Sequence, residues 1–241
     1  QEARGGGGVF GQIFGKSLAG AYLKWYRRLS VDIVSSVRLL GITIDSRLKF
    51  DQHVAKLCQK ANNKISAFSR VSNYLNEKQS LLLCNSFIIS QFNHCPLIWM
   101  FCGKVANNDL NRTHKRALRI LFNDFTYSFD ELLQRGKECT IHQKNLQKLM
   151  LEVYSSLTQQ NPSFLWDMFH EKDNNHNLRS KNLLMLPQTK TTTYGNDSLS
   201  FRGSILWNSL PNDTKIATSV CSFKSCIKKW IGETCRCKIC K

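Results

Sequence analysis

Between Asn107 and Asn123 the chain separates its charges from its apolar groups at the period of an α-helix, and few folds other than a half-buried helix accommodate that pattern. Leu110, His114, Ala117, Leu118 and Leu121 fall on one face. Arg112, Lys115, Arg116 and Arg119 recur at i, i+3, i+4 and i+7 on the opposite face, with Asp109 the only acid in the segment. Crowding cations on one stripe costs roughly a few tenths of a kcal/mol per i, i+4 pair, and a phosphate backbone laid along the stripe reverses that cost. A solvated outer face explains a lone stripe about as well. The whole chain tips the balance: 34 Lys and Arg stand against 17 Asp and Glu, a net charge of +17 on 241 residues, which favours a polyanion partner.

A pI near 9.6 makes RNA or DNA the first candidate partner and an anionic membrane the second. No apolar run reaches the eighteen residues of a membrane span, and Gln12 and Lys16 break the N-terminal segment before a signal-peptide core can form, so no membrane and no secretion are expected. At 42% hydrophobic residues the chain can build a core. Ten cysteines suggest disulfides only in a short secreted chain. Cys58 and Cys84 sit in apolar helical patterns as small hydrophobes, and a reducing compartment, cytoplasm or nucleus, is expected.

Residues 1–30 form a segment of their own, with seven of the thirteen glycines in the first twenty positions and a short basic helix expected over 16–29. Gly15-Lys16-Ser17 is not a phosphate-binding loop, because Phe10 stands where that loop requires glycine. Val37 to Asp45 is aliphatic and β-branched and reads as one strand, bent at Gly41. From Asp51 to about Val71 the spacing of Val54, Leu57, Cys58, Ala61, Ile65 and Phe68 predicts a helix, with Lys56, Lys60 and Lys64 as a second basic stripe. Asn76 with Gln79, Ser128 with Glu131, and Thr140 with Gln143 have the spacing of capping boxes. They predict a central helix through Phe92, a short one from Ser128, and a long one to about Gln159. Pro96 ends the first, and an apolar plug from Leu97 to Phe101 precedes a loop at 102–106 and the basic helix. Asn161-Pro162 opens a short helix, 171–200 is a polar loop with short strands near Leu183–Leu186 and Thr191–Tyr194, and helices follow from Ser204 and Ser222.

Five phrases stand in order along the chain: Val37-Arg-Leu-Leu-Gly-Ile-Thr-Ile-Asp45, Ser90-Gln-Phe-Asn-His-Cys-Pro-Leu-Ile-Trp-Met100, His114-Lys-Arg-Ala-Leu-Arg119, Ser128-Phe-Asp-Glu-Leu-Leu133 and Thr140-Ile-His-Gln-Lys-Asn-Leu-Gln147. Tyr194-Gly195, Ser200-Phe-Arg-Gly203, Trp207 and Cys235-Arg-Cys-Lys-Ile-Cys240 follow them. Taken together in this order, they resemble the C-terminal part of a non-LTR (LINE-type, jockey-like) retrotransposon reverse transcriptase. The resemblance implies a mainly α fold: a thumb-like helical bundle with a short palm-derived strand segment and an irregular C-terminal region. It places a palm-end, primer-grip-like strand at 31–50 with Leu39, Leu40 and Gly41, a thumb over 51–125, a helical connector over 126–170 and a C-terminal region over 171–241. It implies a template-primer partner, RNA, an RNA–DNA hybrid or DNA, with no small-molecule substrate. The palm's paired catalytic aspartates have no counterpart, since the chain contains no Asp-Asp pair. Mg²⁺ therefore belongs to a full-length polymerase, and this chain is expected to be inactive alone. A polymerase subunit acting with a separate palm chain, or a helical protein-interaction module, are the alternatives.

No residue set reads as catalytic. Asp45 and Asp51 flank a turn, and His114 and His142 lie on apolar helix faces, where packing explains them. Cys235, Cys237 and Cys240 place three thiolates within six residues, enough for a tetrahedral zinc if a fourth ligand comes from elsewhere, with Cys226 or Cys221 the candidates; the paired-CxxC pattern is missing, so a disordered basic tail is the state expected and zinc the alternative. Trp99, Trp207 and Trp230 read as core rather than as base-stacking platforms.

Overall fold

A computed structural model describes residues 34–172, 182–192 and 194–240 of the chain. The glycine-rich segment and its expected basic helix at 16–29 lie outside the described residues. The chain divides into two compact units, residues 1–46 and 47–241.

In the first unit, the expected bent strand is a hairpin. Strand β1 (Ser36–Leu39) pairs antiparallel with β2 (Ile42–Asp45), Ser36 opposite Asp45 and Leu39 opposite Ile42. Leu40 and Gly41 form the connection, with φ of 46° and 87°. Two successive positive φ angles give the hairpin turn whose twist matches its strands, so Gly41 reverses the chain where a bend was expected. Leu39 thus ends β1, and Leu39 and Leu40 are both exposed.

The second unit is helical, and among the described residues the hairpin is the only sheet. Helix α1 (Asp51–Val71) buries the six apolar residues whose spacing predicts it, together with His53. Helix α2 (Glu77–Leu83) opens on the Asn76–Gln79 capping box. The expected continuation to Phe92 changes winding: Cys84–Ile88 is a π turn and Ile89–Asn93 a 3-10 turn. With that winding Cys84, Ile88, Ile89 and Phe92 are buried while Leu82 and Phe87 stay outside, so the segment is not buried on every side as its apolar run suggests. Pro96 opens the single turn α3 (Pro96–Trp99), where Trp99 is fully buried and donates its Nε1–H to the His94 carbonyl at 3.1 Å.

Helix α4 (Lys104–Phe122) begins within the expected loop, with Gly103 as its N-cap, and stops at Asn123 in the left-handed region. It packs against α1. Helices α5 (Phe129–Gly136) and α6 (Ile141–Leu157) both open on the expected capping boxes. Helix α7 (Ser163–Trp166) takes Pro162, not Asn161, as its N-cap. In place of the strands expected after residue 171, the described residues hold one bridge, Glu171 to Leu184. Helix α8 (Leu199–Ser209) starts five residues before Ser204, because the Ser198 side chain accepts the Phe201 N–H and caps it. Helices α9 (Asn212–Lys215) and α10 (Val220–Ile227) follow.

Around α6 these pieces close a core. Leu146, Leu149, Met150, Val153 and Tyr154 meet Leu206 and Trp207 of α8 and Phe223 and Ile227 of α10, and Tyr154 stacks on Phe223 at 4.3 Å. Cys235 and Cys237 belong to the same core.

Candidate metal centre

Helix α6 sets one wall of the site. The Thr140 hydroxyl accepts the Gln143 N–H at 3.2 Å, and Gln143 Oε1 accepts the Thr140 N–H at 2.9 Å, so the first turn is anchored at both ends. His142 sits in that turn with its ring buried and edge-on to Phe101, centroids 6.5 Å apart. The C-terminal segment runs back along the same helix. Gln147 Nε2 donates to the carbonyls of Lys228 at 3.2 Å and Trp230 at 2.9 Å. Gly232, with φ of 73°, lies against Leu146, where a Cβ would meet Cδ1 at 2.4 Å. Only glycine meets both demands. The chain then turns Cys235 and Cys237 inward beside His142 and keeps Arg236 and Lys238 outside.

The result is a compact donor set. One ligand atom each from His142, Cys235, Cys237 and Cys240 lies within 4.8 Å of all the others. Cys237 Sγ is 3.5 Å from His142 Nε2 and 3.6 Å from Cys240 Sγ. The four can hold a metal ion. The sulfurs draw positive charge to this spot: burial works against a charged His142, but hydrogen bonds to Cys237 and Cys240 and the charge on those sulfurs raise it to about 9, so a metal ion bound there displaces the ring's proton. Cys237 is held well below the ordinary thiol range, first by its hydrogen bond with Cys235 and, against the cost of burial, by His142. A sulfur that readily exists as thiolate is the form a metal takes. Around the cluster, Asp197 binds Arg202 at 2.9 Å and Lys238 at 2.6 Å, and Arg202 lies over the Phe101 ring.

This corrects two expectations. The segment expected as a disordered tail is folded into the core, and its fourth partner is His142, not Cys226 or Cys221, which are exposed on α10. His142 does fall on the apolar side of α6, as its spacing requires, yet it meets sulfur there.

The basic residues expected to bind nucleic acid separate into two places. On α4, Arg112 and Arg116 are exposed and Lys115 and Arg119 half-buried, all on the side away from Leu110, Ala117 and Leu118. Asp109 pairs with Arg112 at 3.1 Å. Arg116 donates to Asn62 Oδ1 of α1 at 3.0 Å, and the Nε of Arg119 is buried without a hydrogen-bond partner. On α1, Lys64 lies 4.5 Å over the Phe87 ring, while Lys56 and Lys60 are exposed. Asn62 and Lys64 are two residues apart and so about 200° apart around α1. The lysine stripe therefore occupies the flank of α1 remote from the one that meets Arg116. Leu39, Leu40 and Gly41, expected from the resemblance as a primer-grip strand, are the end and the turn of the hairpin. Trp99 and Trp207 are core, as expected, and Trp230 packs at the core's edge. No helix among the described residues is long and apolar enough to cross a membrane. No protein-family model, curated protein or solved structure matches the chain.

Proposed function

We propose that the chain is a nucleic-acid-binding helical module, of the kind that a non-LTR retrotransposon reverse transcriptase carries behind its palm, and that it grips RNA, an RNA–DNA hybrid or DNA along the outward side of α4. The observation that carries this reading is the row Arg112, Lys115, Arg116 and Arg119 on one side of a nineteen-residue helix, accompanied there by a single acid that Arg112 already pairs with. Cations in such a row meet successive phosphates and displace their counterions, so binding is indifferent to sequence and steep in salt. The lysines of α1 face another flank and form a separate, weaker contact. The chain supplies grip and no polymerase chemistry, and the metal of the His142 and cysteine cluster is zinc, held for structure.

Binding of a labelled duplex and a labelled hybrid, followed by anisotropy across a salt series, tests this. The logarithm of affinity is expected to fall with the logarithm of salt at about 0.9 per phosphate contacted on duplex DNA. Arg112→Glu, Lys115→Glu and Arg116→Glu together, with Arg119 kept because its Nε is buried, should abolish binding at unchanged helicity. Reversing Lys56, Lys60 and Lys64 should weaken it less. Absence of binding by the unaltered chain at low salt would favour a helical protein-interaction module.

A further inference from the structure

We infer that His142, Cys235, Cys237 and Cys240 are the four ligands of one closed structural zinc site, and that this ion clasps the C-terminal segment to the first turn of α6. The inference deepens the zinc reading given above, rests on it, and is independent of where nucleic acid binds.

The kind of donor selects the metal. Three sulfurs and one imidazole are borderline-soft ligands that suit zinc, whereas magnesium and calcium require oxygen, and iron–sulfur clusters of the common types take four cysteines. The spacing selects the geometry. With Zn–S near 2.3 Å and Zn–N near 2.05 Å, a regular tetrahedron has S–S edges of about 3.8 Å and S–N edges of about 3.6 Å. The two separations recorded, 3.6 Å between Cys237 and Cys240 and 3.5 Å between Cys237 and His142, are already close to those edges. The number of ligands selects the role. Four protein donors fill the tetrahedron and leave no position for water or substrate, and His142, Cys235 and Cys237 are buried.

The surroundings state what the ion is for. Before residue 235 the C-terminal segment is held to α6 by two hydrogen bonds from Gln147 and the close fit of Gly232 on Leu146. Beyond it, the described hydrogen bonds from this segment to α6 converge on the sulfur and ring of Cys237 and His142. Cys235 and Cys237 are buried in the core that includes Leu146, Trp207 and Phe223. Metal binding displaces the protons still held by the other thiols and by the His142 ring and releases them to solvent, leaving one ion bonded across a sequence gap of 93 residues between His142 and Cys235.

The full chain, purified without chelator, is tested for metal content and then loaded with cobalt(II) as a spectroscopic probe. One zinc per chain is expected, and the cobalt form should show the visible bands of a tetrahedral sulfur-ligated ion. Cys237→Ser and His142→Ala should each weaken zinc binding by more than the roughly 10- to 100-fold that losing a supporting hydrogen bond costs a metal site. Cys221→Ser and Cys226→Ser should leave it unchanged. His142→Cys should restore zinc binding and shift the cobalt spectrum to that of four sulfurs, which separates loss of a ligand from loss of the fold. Hydrogen exchange after chelation should rise at the first turn of α6 and over residues 232–240, while α1 and α4 stay protected. Unchanged affinity in His142→Ala overturns the four-ligand site while leaving the terminal thiolates as metal ligands; absence of zinc from the unaltered chain overturns both. Zinc bound as described by a chain that fails to bind nucleic acid overturns only the nucleic-acid reading.

Discussion

His114 and His142 occupy the same kind of position, the apolar side of an amphipathic helix, and end in opposite chemistry. His142 finds sulfur. His114 is buried edge-on to Phe129 at 5.5 Å, with its Nδ1 lacking a hydrogen-bond partner. Burial first, and then the charge of Lys144, depresses it to about 3. In the unfolded chain it takes up its proton near the ordinary 6.5. Between those values the unfolded chain binds a proton that the folded one refuses. The stability contributed is complete above about pH 6.5 and declines with acid by up to about 1.4 kcal/mol per pH unit from this group. Urea unfolding at pH 7.5, 5.5 and 4.5 should show the decline, and His114→Leu should flatten it. An equally steep decline in the variant would assign the acid sensitivity to other groups. Spacing alone could not separate the two histidines. The sulfur partners of His142 lie more than ninety residues away, and an apolar periodicity accounts for a packed ring and a ligating ring equally well.

Helices whose burial follows one period were legible in the sequence: α1, α4 and α6 stand where their apolar stripes put them, and the three capping boxes form as spaced. Legibility failed where the winding changes. The π and 3-10 turns from Cys84 to Asn93 depend on packing from several directions, and the start of α8 was hidden because it follows directly on the polar stretch expected as a loop. Gly203 is there for contact. A Cβ at that position would stand 2.8 Å from Phe169 and 3.0 Å from Val153, so Gly203→Ala should destabilise the α6–α8 packing by about 1–3 kcal/mol despite its better helix propensity, measurable as a lowered urea midpoint. A gain in stability would mean that the Phe169 ring moves freely. Thr140→Ala tests the other end of the site. Loss of its cap should cost about 1 kcal/mol and also weaken zinc binding, because the turn it anchors carries His142. Lower stability with unchanged zinc affinity would show that the ring is held by its sulfur neighbours alone.

Over the whole molecule a net charge of +17 acts in two directions at once. Self-repulsion strains the compact state, and salt relieves it by shortening the screening length from about 30 Å at 0.01 M to about 8 Å at 0.15 M. The midpoint of thermal unfolding should therefore rise over that salt range while affinity for nucleic acid falls. A midpoint that falls as well would show that ion pairs such as those of Asp197 outweigh the repulsion. The gap between His142 and Cys240 has a further consequence in time. During synthesis the imidazole is made 98 residues before the last sulfur of its cluster, and at about 5–20 residues per second that is a delay of about 5–20 s. Until α8 and α10 are made, the nascent α6 has only the partners that precede it, such as Met100 and Phe101, and its apolar side lacks Leu206, Trp207, Phe223 and Ile227, which makes this helix the segment on which chaperones would be expected to act.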